Sequence, residues 1–261
     1  MNLSIGVTGD SLKHKVNLLK EELLNMNFID LDKNPQEASK VFAICVLGGD
    51  GFFLHAVHKF LVYNKPFYGV NYGTVGFLLN EKTSPQEILT KIQTATEIKL
   101  KLLKAEIETK SGSFKSLAMN EVTLFRTSGQ VAKIKIFVNG KLRLPELASD
   151  GVVLSTASGS TAYNFSLHGP IFSPEAKVLS LCPISPFRPR HFRGVLLPEN
   201  SSIRFEVMSV EKRPVLATTD FNHFDDVKSM DVHLSNKHFV TILFDRETDL
   251  NEKIIAEQFI L

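Results

Sequence analysis

Residues 41–60, VFAICVLGGDGFFLHAVHKF, decide the fold class of the first part of the chain. The first seven residues are all apolar, which is typical of a strand buried on both faces in a parallel sheet. This strand pattern ends in the run Gly48-Gly49-Asp50-Gly51. Apolar residues then recur at helical spacing from residue 53 to residue 61. A buried strand, a glycine-rich loop and a helix in this order predict an α/β layer.

The same alternation of strands and helices extends to both sides of this stretch. Residues 3–7 and 67–70 predict further strands, and residues 12–26 predict a helix. Thr83-Ser84-Pro85 predicts the start of another helix, because proline suits the first helical position. We therefore expect an α/β domain over residues 1–100.

The hydrophobic period changes after about residue 100. Lys133-Ile134-Lys135-Ile136 alternates with the period of two that half-buried strands have, and the hairpin dipeptide Asn139-Gly140 follows. We expect an antiparallel, β-rich domain over residues 101–240. The last segment, 241–261, contains a helical pattern from residue 250 to 259, and we expect it to return to the first domain.

Composition and charge exclude several classes of protein. Thirty basic residues against 28 acidic ones give a net charge of +2, too little to attract nucleic acid. Two cysteines, Cys45 and Cys182, exclude a disulfide framework and a four-cysteine metal site. The chain has no apolar run near the roughly 18 residues of a membrane helix, and its start lacks the pattern of a signal peptide. We expect a cytoplasmic protein with neither a membrane nor a nucleic acid as partner.

The glycine-rich loop at residues 48–51 is a candidate phosphate site. Glycines let a ligand approach the backbone closely, and the following helix offers free N–H groups to an anion. Asp50 is repelled by phosphate, so it suits a divalent cation or the proton of an attacking hydroxyl. The alternative is a plain strand-to-helix turn with Asp50 as the helix N-cap. A second loop, NYGTVGFLLN at 71–80, also follows a strand, and either a ligand site or a turn explains it.

Two segments of the β-rich part are candidates for binding a polar ligand. Residues 150–171, DGVVLSTASGSTAYNFSLHGPI, place five hydroxyl residues within seven positions after a predicted strand. Hydroxyl groups and exposed backbone suit a nucleoside, although a Ser/Thr-rich β loop is the alternative. Asn120-Glu121 interrupts a strand-like run, and the pair suits a base edge or a ribose diol. A bulge or a turn explains it equally well.

Two further patterns carry less weight. His55 and His58 are three residues apart on a predicted helix, and no third ligand lies near them in sequence, so we favour a helical face over a metal site. Residues 187–193, FRPRHFR, are locally basic. We favour a solvated loop there over an anion site or a subunit contact.

Taken together and in this order, the four segments resemble the NAD kinase family. The matching residues are GGDG at 48–51, NYGTVGFL at 71–78, the Asn120-Glu121 pair and DG…STASGSTAYN…GPI, so the resemblance spans about residues 41–220. It implies a Rossmann-like α/β domain and a β-sandwich-like domain with the active site between them. It also implies transfer of the γ-phosphoryl of ATP to the 2′-hydroxyl of the adenosine ribose of NAD. Mg²⁺ or another divalent cation and a homodimer or homotetramer are expected with it.

Carried over position by position, the resemblance implies a role for each matching residue. Asp50 is the catalytic aspartate and the only residue considered for the metal, to which no ligand is directly assigned. The backbone of Gly48, Gly49 and Gly51 approaches the phosphates. The residues expected to bind NAD are Gly51, Asn120, Glu121, Asp150, Ser158, Thr161, Ala162, Tyr163 and Asp220.

Three departures from the family pattern keep other functions open. Phe52 stands where the family usually has Thr, and Asp220-Phe221-Asn222 stands where Asp-Gly-Gln is common; STASGSTAY replaces STPTGSTAY. One alternative is an NAD(P) sensor without catalysis, which the retained Asp50 disfavours. Another is a lipid kinase of the diacylglycerol-kinase type, which shares GGDG but requires an apolar acceptor pocket.

Overall fold

The computed structural model describes residues 4–74, 76–249, 252, 253 and 255. The chain divides into two compact units, Met1–Leu100 with Val240–Leu261, and Lys101–Phe239. In chain order the strands are β1 (Ile5–Gly9), β2 (Ile29–Asp30), β3 (Ala43–Gly48), β4 (Phe67–Asn71), β5 (Thr96–Thr109), β6 (Ser113–Ala118), β7 (Glu121–Arg126), β8 (Ala132–Val138), β9 (Lys141–Ser149), β10 (Gly151–Ser155), β11 (Val178–Ile184), β12 (Val195–Pro198), β13 (Ser202–Val207), β14 (Val215–Thr219), β15 (Asn222–Phe224) and β16 (Val227–Phe244). The α-helices are α1 (His14–Asn25), α2 (Asp50–Phe60), α3 (Pro85–Thr94) and α4 (Tyr163–Ser166), and 3-10 turns occupy Pro35–Ser39, Leu61–Tyr63 and Ser158–Thr161.

The first unit contains a parallel sheet in the order β2-β1-β3-β4-β16, to which β16 contributes its last residues. Every residue of β3 is buried, and β3 runs parallel to both β1 and β4. The apolar run therefore forms the doubly covered parallel strand that its composition predicts from Ala43 onward, whereas Phe42 lies before the strand and is exposed. Gly48 pairs with Asn71, so β3 and β4 end at the same edge of the sheet.

The helices of this unit follow the predicted apolar spacing. Helix α3 begins at Pro85 with a capping box in which Ser84 and Glu87 satisfy each other's backbone N–H groups, and this confirms the predicted start. Helix α1 begins at His14 rather than at residue 12, because Leu12 is 94% exposed and lies before the buried stripe.

The second unit is built from two antiparallel sheets. One has the order β12-β11-β10-β7-β14-β15, and the other runs β6-β5-β16-β13-β8-β9 with the first part of β16. Apolar side chains of both sheets form one core cluster, which includes Leu103, Ile134, Leu154 and Phe205. The Asn139-Gly140 hairpin joins β8 to β9, and both residues have the positive φ that the predicted turn requires (52° and 73°). The α/β part and the sheet-rich part predicted from the sequence are both present.

The predicted helix over residues 250–259 falls mostly outside the described residues. Glu252, Lys253 and Ile255 are described and are helical. Among the helices of the described ranges, none is both long and apolar enough to cross a membrane.

Candidate active site

Asp50 lies at the carboxyl end of β3, where the strand turns into α2. Gly49 is the N-cap of α2 and makes no side-chain capping bond, whereas Asp50 is the first helical residue. The alternative role of Asp50 as an N-cap is therefore wrong. Its carboxylate accepts hydrogen bonds from the N–H groups of Phe77 (3.2 Å) and Leu78 (3.4 Å), which belong to the second glycine-containing loop.

The protonation of Asp50 is set by opposing influences. Burial raises the pKa of its carboxyl above the ordinary value. The two backbone N–H groups and the positive charge of Lys253 act in the opposite direction, because they stabilise the ionised form. Such a carboxylate, partly desolvated yet still held by donors, suits contact with a hydroxyl proton or a cation.

The two glycine loops of this unit touch through their backbones. The N–H of Tyr72 donates to the carbonyl of Gly48 (2.7 Å). A Cβ at Gly49 would lie 3.3 Å from the Cα of Gly73, so only a residue without a side chain fits there comfortably. At Gly51, by contrast, a Cβ would meet no atom within 4 Å, which leaves this backbone open to a ligand.

Two cations that no sequence pattern indicates lie beside these loops. The Lys13 ammonium donates to the carbonyl of Tyr72 (2.9 Å), and it would lie 3.9 Å from a Cβ placed at Gly49. The Lys253 ammonium donates to the carbonyl of Leu79 (2.6 Å). Neither lysine belongs to a recognisable motif, and each is far in sequence from the loop that it contacts, so no local signal identifies it.

In the second unit, Asp220 organises the backbone around the Asn120-Glu121 pair. Its carboxylate accepts from the N–H groups of Met119 (2.7 Å), Asn120 (2.9 Å) and Glu121 (3.2 Å). Its own N–H donates to the carbonyl of Glu121 (3.0 Å). The positive φ of this turn falls on Asp220 (53°) and not on Phe221, so a phenylalanine is accommodated where the family commonly has glycine.

Two acceptor atoms of the pair are buried without a hydrogen-bond partner among the described residues. They are Oδ1 of Asn120 and Oε2 of Glu121. Burial raises the pKa of Glu121 to about 8, and the charge of Asp220 adds to the effect, while the N–H of Tyr163 opposes it. An unsatisfied buried polar atom costs about 1–3 kcal/mol, so two adjacent ones indicate groups that a ligand satisfies.

The hydroxyl-rich segment packs on this pair. The Thr156 hydroxyl donates to the carbonyl of Met119 (2.8 Å) and accepts from the N–H of Gly159 (3.0 Å). A Cβ at Gly159 would lie 2.3 Å from the carbonyl oxygen of Asn120, so this close approach requires glycine. Ser158 is buried, and its hydroxyl bonds to the Thr156 hydroxyl (2.9 Å) and donates to the carbonyl of Met119 (3.3 Å). Thr161, Ala162 and Tyr163 are half-buried.

Asp150 precedes β10, at the opposite end of that strand from Ser155. It forms an ion pair with Arg126. Burial raises the pKa of the Tyr163 hydroxyl, and the charges of Asp150 and Glu121 add to this. The structure thus brings Asn120, Glu121, Ser158, Gly159 and Tyr163 together and leaves Asp150 within electrostatic reach of Tyr163. Asp50 and Gly48, Gly49 and Gly51 form a separate cluster in the first unit.

The described residues contain no group of three or more His, Cys, Asp or Glu side chains that could hold a metal ion. A magnesium ion does not require such a group, because it is commonly held by one or two carboxylates together with substrate phosphates. The Asp50 carboxylate beside an open glycine backbone fits that mode of binding. His55 and His58 lie on α2, as predicted.

Comparison with known proteins identifies the family. Residues 119–242 match the model of the ATP-NAD kinase C-terminal domain. An NAD kinase of Xylella fastidiosa (strain 9a5c) is 45% identical over 217 residues, which cover 83% of this chain and 83% of that protein. An NAD kinase of Rickettsia bellii (strain OSU 85-389) is 41% identical over 254 residues, which cover 90% of this chain and 99% of that protein.

Two solved structures share the fold. Yeast NADH kinase in complex with NADH superposes with a TM-score of 0.83 at 23% identity, covering 98% of this chain and 88% of that one. An NAD kinase from Archaeoglobus fulgidus in complex with ATP superposes with a TM-score of 0.78 at 20% identity, covering 97% of this chain and 99% of that one. With relatives above 40% identity over most of its length, and with the motifs of both units in place, the chain belongs to the NAD kinase family.

Proposed function

We propose that this protein is an NAD kinase, which transfers the γ-phosphoryl group of ATP to the 2′-hydroxyl of the adenosine ribose of NAD. The observation that carries the chemistry is the Asp50 carboxylate, held by two backbone N–H groups next to the open backbone of Gly51. Phosphoryl transfer requires positioning, charge neutralisation and one group that takes or orients the hydroxyl proton. Asp50 is that group.

The second unit binds NAD in this proposal. The unsatisfied Oδ1 of Asn120 accepts from the ribose or adenine of NAD, and the carboxyl of Glu121 accepts from or donates to them. Because the pKa of Glu121 is about 8, its carboxyl is mainly protonated at neutral pH and can donate as well as accept. Thr161, Ala162 and Tyr163 line the adenosine, Asp150 faces the riboside end, and Asp220 holds the Asn120-Glu121 backbone in place.

The glycine loops of the first unit bind the donor phosphates. The backbone of Gly48, Gly49 and Gly51 approaches them, and the Lys13 ammonium neutralises part of their charge. When Mg²⁺ or a similar cation accompanies the nucleotide, it neutralises charge on the transferred group, and Asp50 is the side chain that would hold it. We also propose a cytoplasmic homodimer or homotetramer, which the family resemblance implies.

The polar acceptor pocket favours this function over the two alternatives. A lipid acceptor requires an apolar pocket, whereas the pair Asn120-Glu121 and the hydroxyl-rich turn present buried polar atoms. A sensor that only binds NAD(P) gains nothing from a carboxylate beside phosphate, because like charges repel.

Substitutions in the acceptor pocket test the assignment of NAD to the second unit. We expect Asn120→Ala and Tyr163→Ala to raise the KM for NAD by about tenfold or more, as the loss of a hydrogen bond or a stacking surface does. The KM for ATP should change far less. Steady-state kinetics with each substrate varied in turn measures the difference, and equal changes for both substrates would refute the assignment.

A further inference from the structure

We propose that Lys253 is a positioning residue for Asp50, because it fixes the loop segment that binds the Asp50 carboxylate. This inference rests on the proposed function, in which the ionised Asp50 acts on the acceptor hydroxyl. Lys253 lies 203 positions after Asp50 and belongs to none of the family motifs that identify the chain.

A short series of contacts links the two side chains. The Lys253 ammonium donates to the carbonyl of Leu79 at 2.6 Å. The preceding residues of the same segment, Phe77 and Leu78, donate their N–H groups to the two carboxylate oxygens of Asp50. A shift of the Leu79 peptide therefore moves the donors that hold Asp50.

The sheet fixes the other end of this segment. The Asn80 amide donates to the carbonyls of Gly69 (3.1 Å) and Leu243 (2.9 Å), and its carbonyl oxygen accepts from the N–H of Asp245 (2.8 Å). Leu79 itself is fully buried. The N–H of Asn80 donates to the carbonyl of Gly69 (2.8 Å), so the sheet holds one side of the Leu79–Asn80 peptide and the Lys253 ammonium holds its carbonyl.

Other charged side chains surround Lys253. Lys253 borders a cavity of about 420 Å³, and the side chains that line this cavity with it are Glu81, Lys82, Lys91, Asp245, Glu247, Thr248, Asp249 and Glu252. The Lys91 ammonium pairs with Asp245 (2.7 Å), which also accepts from the Tyr68 hydroxyl (2.7 Å). The Lys82 ammonium lies 5.5 Å from the centre of the Tyr72 ring.

Acidic side chains surround the Lys253 ammonium. Burial lowers the pKa of Lys253, and the negative charges of Glu81, Asp50 and Asp245 oppose that effect.

Substitutions at Lys253 separate this role from simple packing. We expect Lys253→Met to lower kcat by about 10- to 100-fold, the scale of a misplaced reacting group. Lys253→Arg should restore kcat, since it keeps the charge and a donor for the Leu79 carbonyl.

Lys82→Met is the matched control, because it removes a lysine of the same cavity, and no hydrogen bond joins Lys82 to residues 77–79 within the part of the chain that the structure describes. It should leave kcat as in the wild type. A Lys253→Met enzyme with the wild-type kcat would overturn the proposal.

Amide hydrogen exchange gives a readout that needs no turnover. Exchange at Phe77 and Leu78 should become faster in Lys253→Met and stay unchanged in Lys82→Met. Unchanged exchange would refute the proposal that Lys253 fixes the segment at 77–79, even if the wild type proved to have another activity. Absence of NADP formation by the wild type, or full turnover of Asp50→Asn, would instead refute the proposed function, so the two failures are distinguishable.

Discussion

At the scale of the residue, Asp50 and Glu121 are two partly buried carboxyl groups with different surroundings. Burial raises the pKa of both. At Asp50, two backbone N–H groups and the positive charge of Lys253 oppose this effect. At Glu121, the negative charge of Asp220 adds to it, one backbone N–H group opposes it, and the pKa rises to about 8. Two carboxyl groups with such different surroundings can perform different tasks at the same pH. In the proposed function, Asp50 acts as the anion and Glu121 as a neutral partner for hydrogen bonds.

Glu121→Gln tests this difference through the pH dependence of stability. The native state keeps the Glu121 proton up to a pKa of about 8, whereas the ordinary value is 4.5. Between these values the native state binds more protons than the unfolded state, so this group lowers the free energy of unfolding by up to about 1.4 kcal/mol per pH unit as the pH rises. Glutamine does not titrate. We expect Glu121→Gln to gain stability relative to the wild type from pH 6 to pH 8, measured by urea unfolding without ligand. A difference that is constant with pH would contradict the raised pKa.

Lys13→Ala tests the cation at the first glycine loop. The loss of an ammonium that contacts the donor phosphates should raise the KM for ATP by about tenfold, the scale of one charge-assisted hydrogen bond. The KM for NAD should change little. Lys15→Ala is the control, because Lys15 is an exposed residue of α1, the helix that Lys13 precedes as its N-cap. If both variants showed the same KM for ATP, Lys13 would have no part in donor binding.

At the scale of the element, close approach between backbones builds the acceptor pocket. The 3-10 turn Ser158–Thr161 rests on the Asn120 carbonyl, and only glycine at position 159 allows this distance. We expect Gly159→Ala to lower the free energy of unfolding by about 1–3 kcal/mol, because the added methyl group forces the turn away from β7. The KM for NAD should rise with it.

Gly129→Ala is the matched control for this substitution. A Cβ at Gly129 meets no atom within 4 Å, and Gly129 does not require a positive φ. Equal stability and equal NAD affinity in the two variants would mean that the turn tolerates displacement and does not shape the pocket.

Elements whose signal is local could be predicted from the sequence. Three elements have a sequence signal within their own residues, and all three are present: the apolar run of β3, the Ser84-Pro85 start of α3 and the Asn139-Gly140 hairpin. The motif residues around Asn120 were predicted as a group because the family pattern places them together. The partners that tertiary structure brings in could not be predicted: Phe77 and Leu78 bind Asp50 through backbone N–H groups, which no side-chain pattern reveals.

At the scale of the whole molecule, the two units have different tasks in the proposed function. The Asp50 loop and its lysines belong to the first unit, and the buried polar pair with its hydroxyl-rich turn belongs to the second. A substitution of Asp50 should therefore remove catalysis and leave NAD binding intact.

The most direct test is NADP formation from NAD, ATP and Mg²⁺, coupled to an NADP-specific dehydrogenase, with the wild type and Asp50→Asn assayed in parallel. NAD affinity of both proteins is measured by calorimetry in the same buffer. We predict turnover by the wild type, and a kcat at least about 10²-fold lower for Asp50→Asn, the scale expected when a general base is lost. Both proteins should be folded and should bind NAD with similar affinity. A folded, NAD-binding wild type that forms no NADP with either ATP or polyphosphate, or an Asp50→Asn variant with near-normal turnover, would contradict the account.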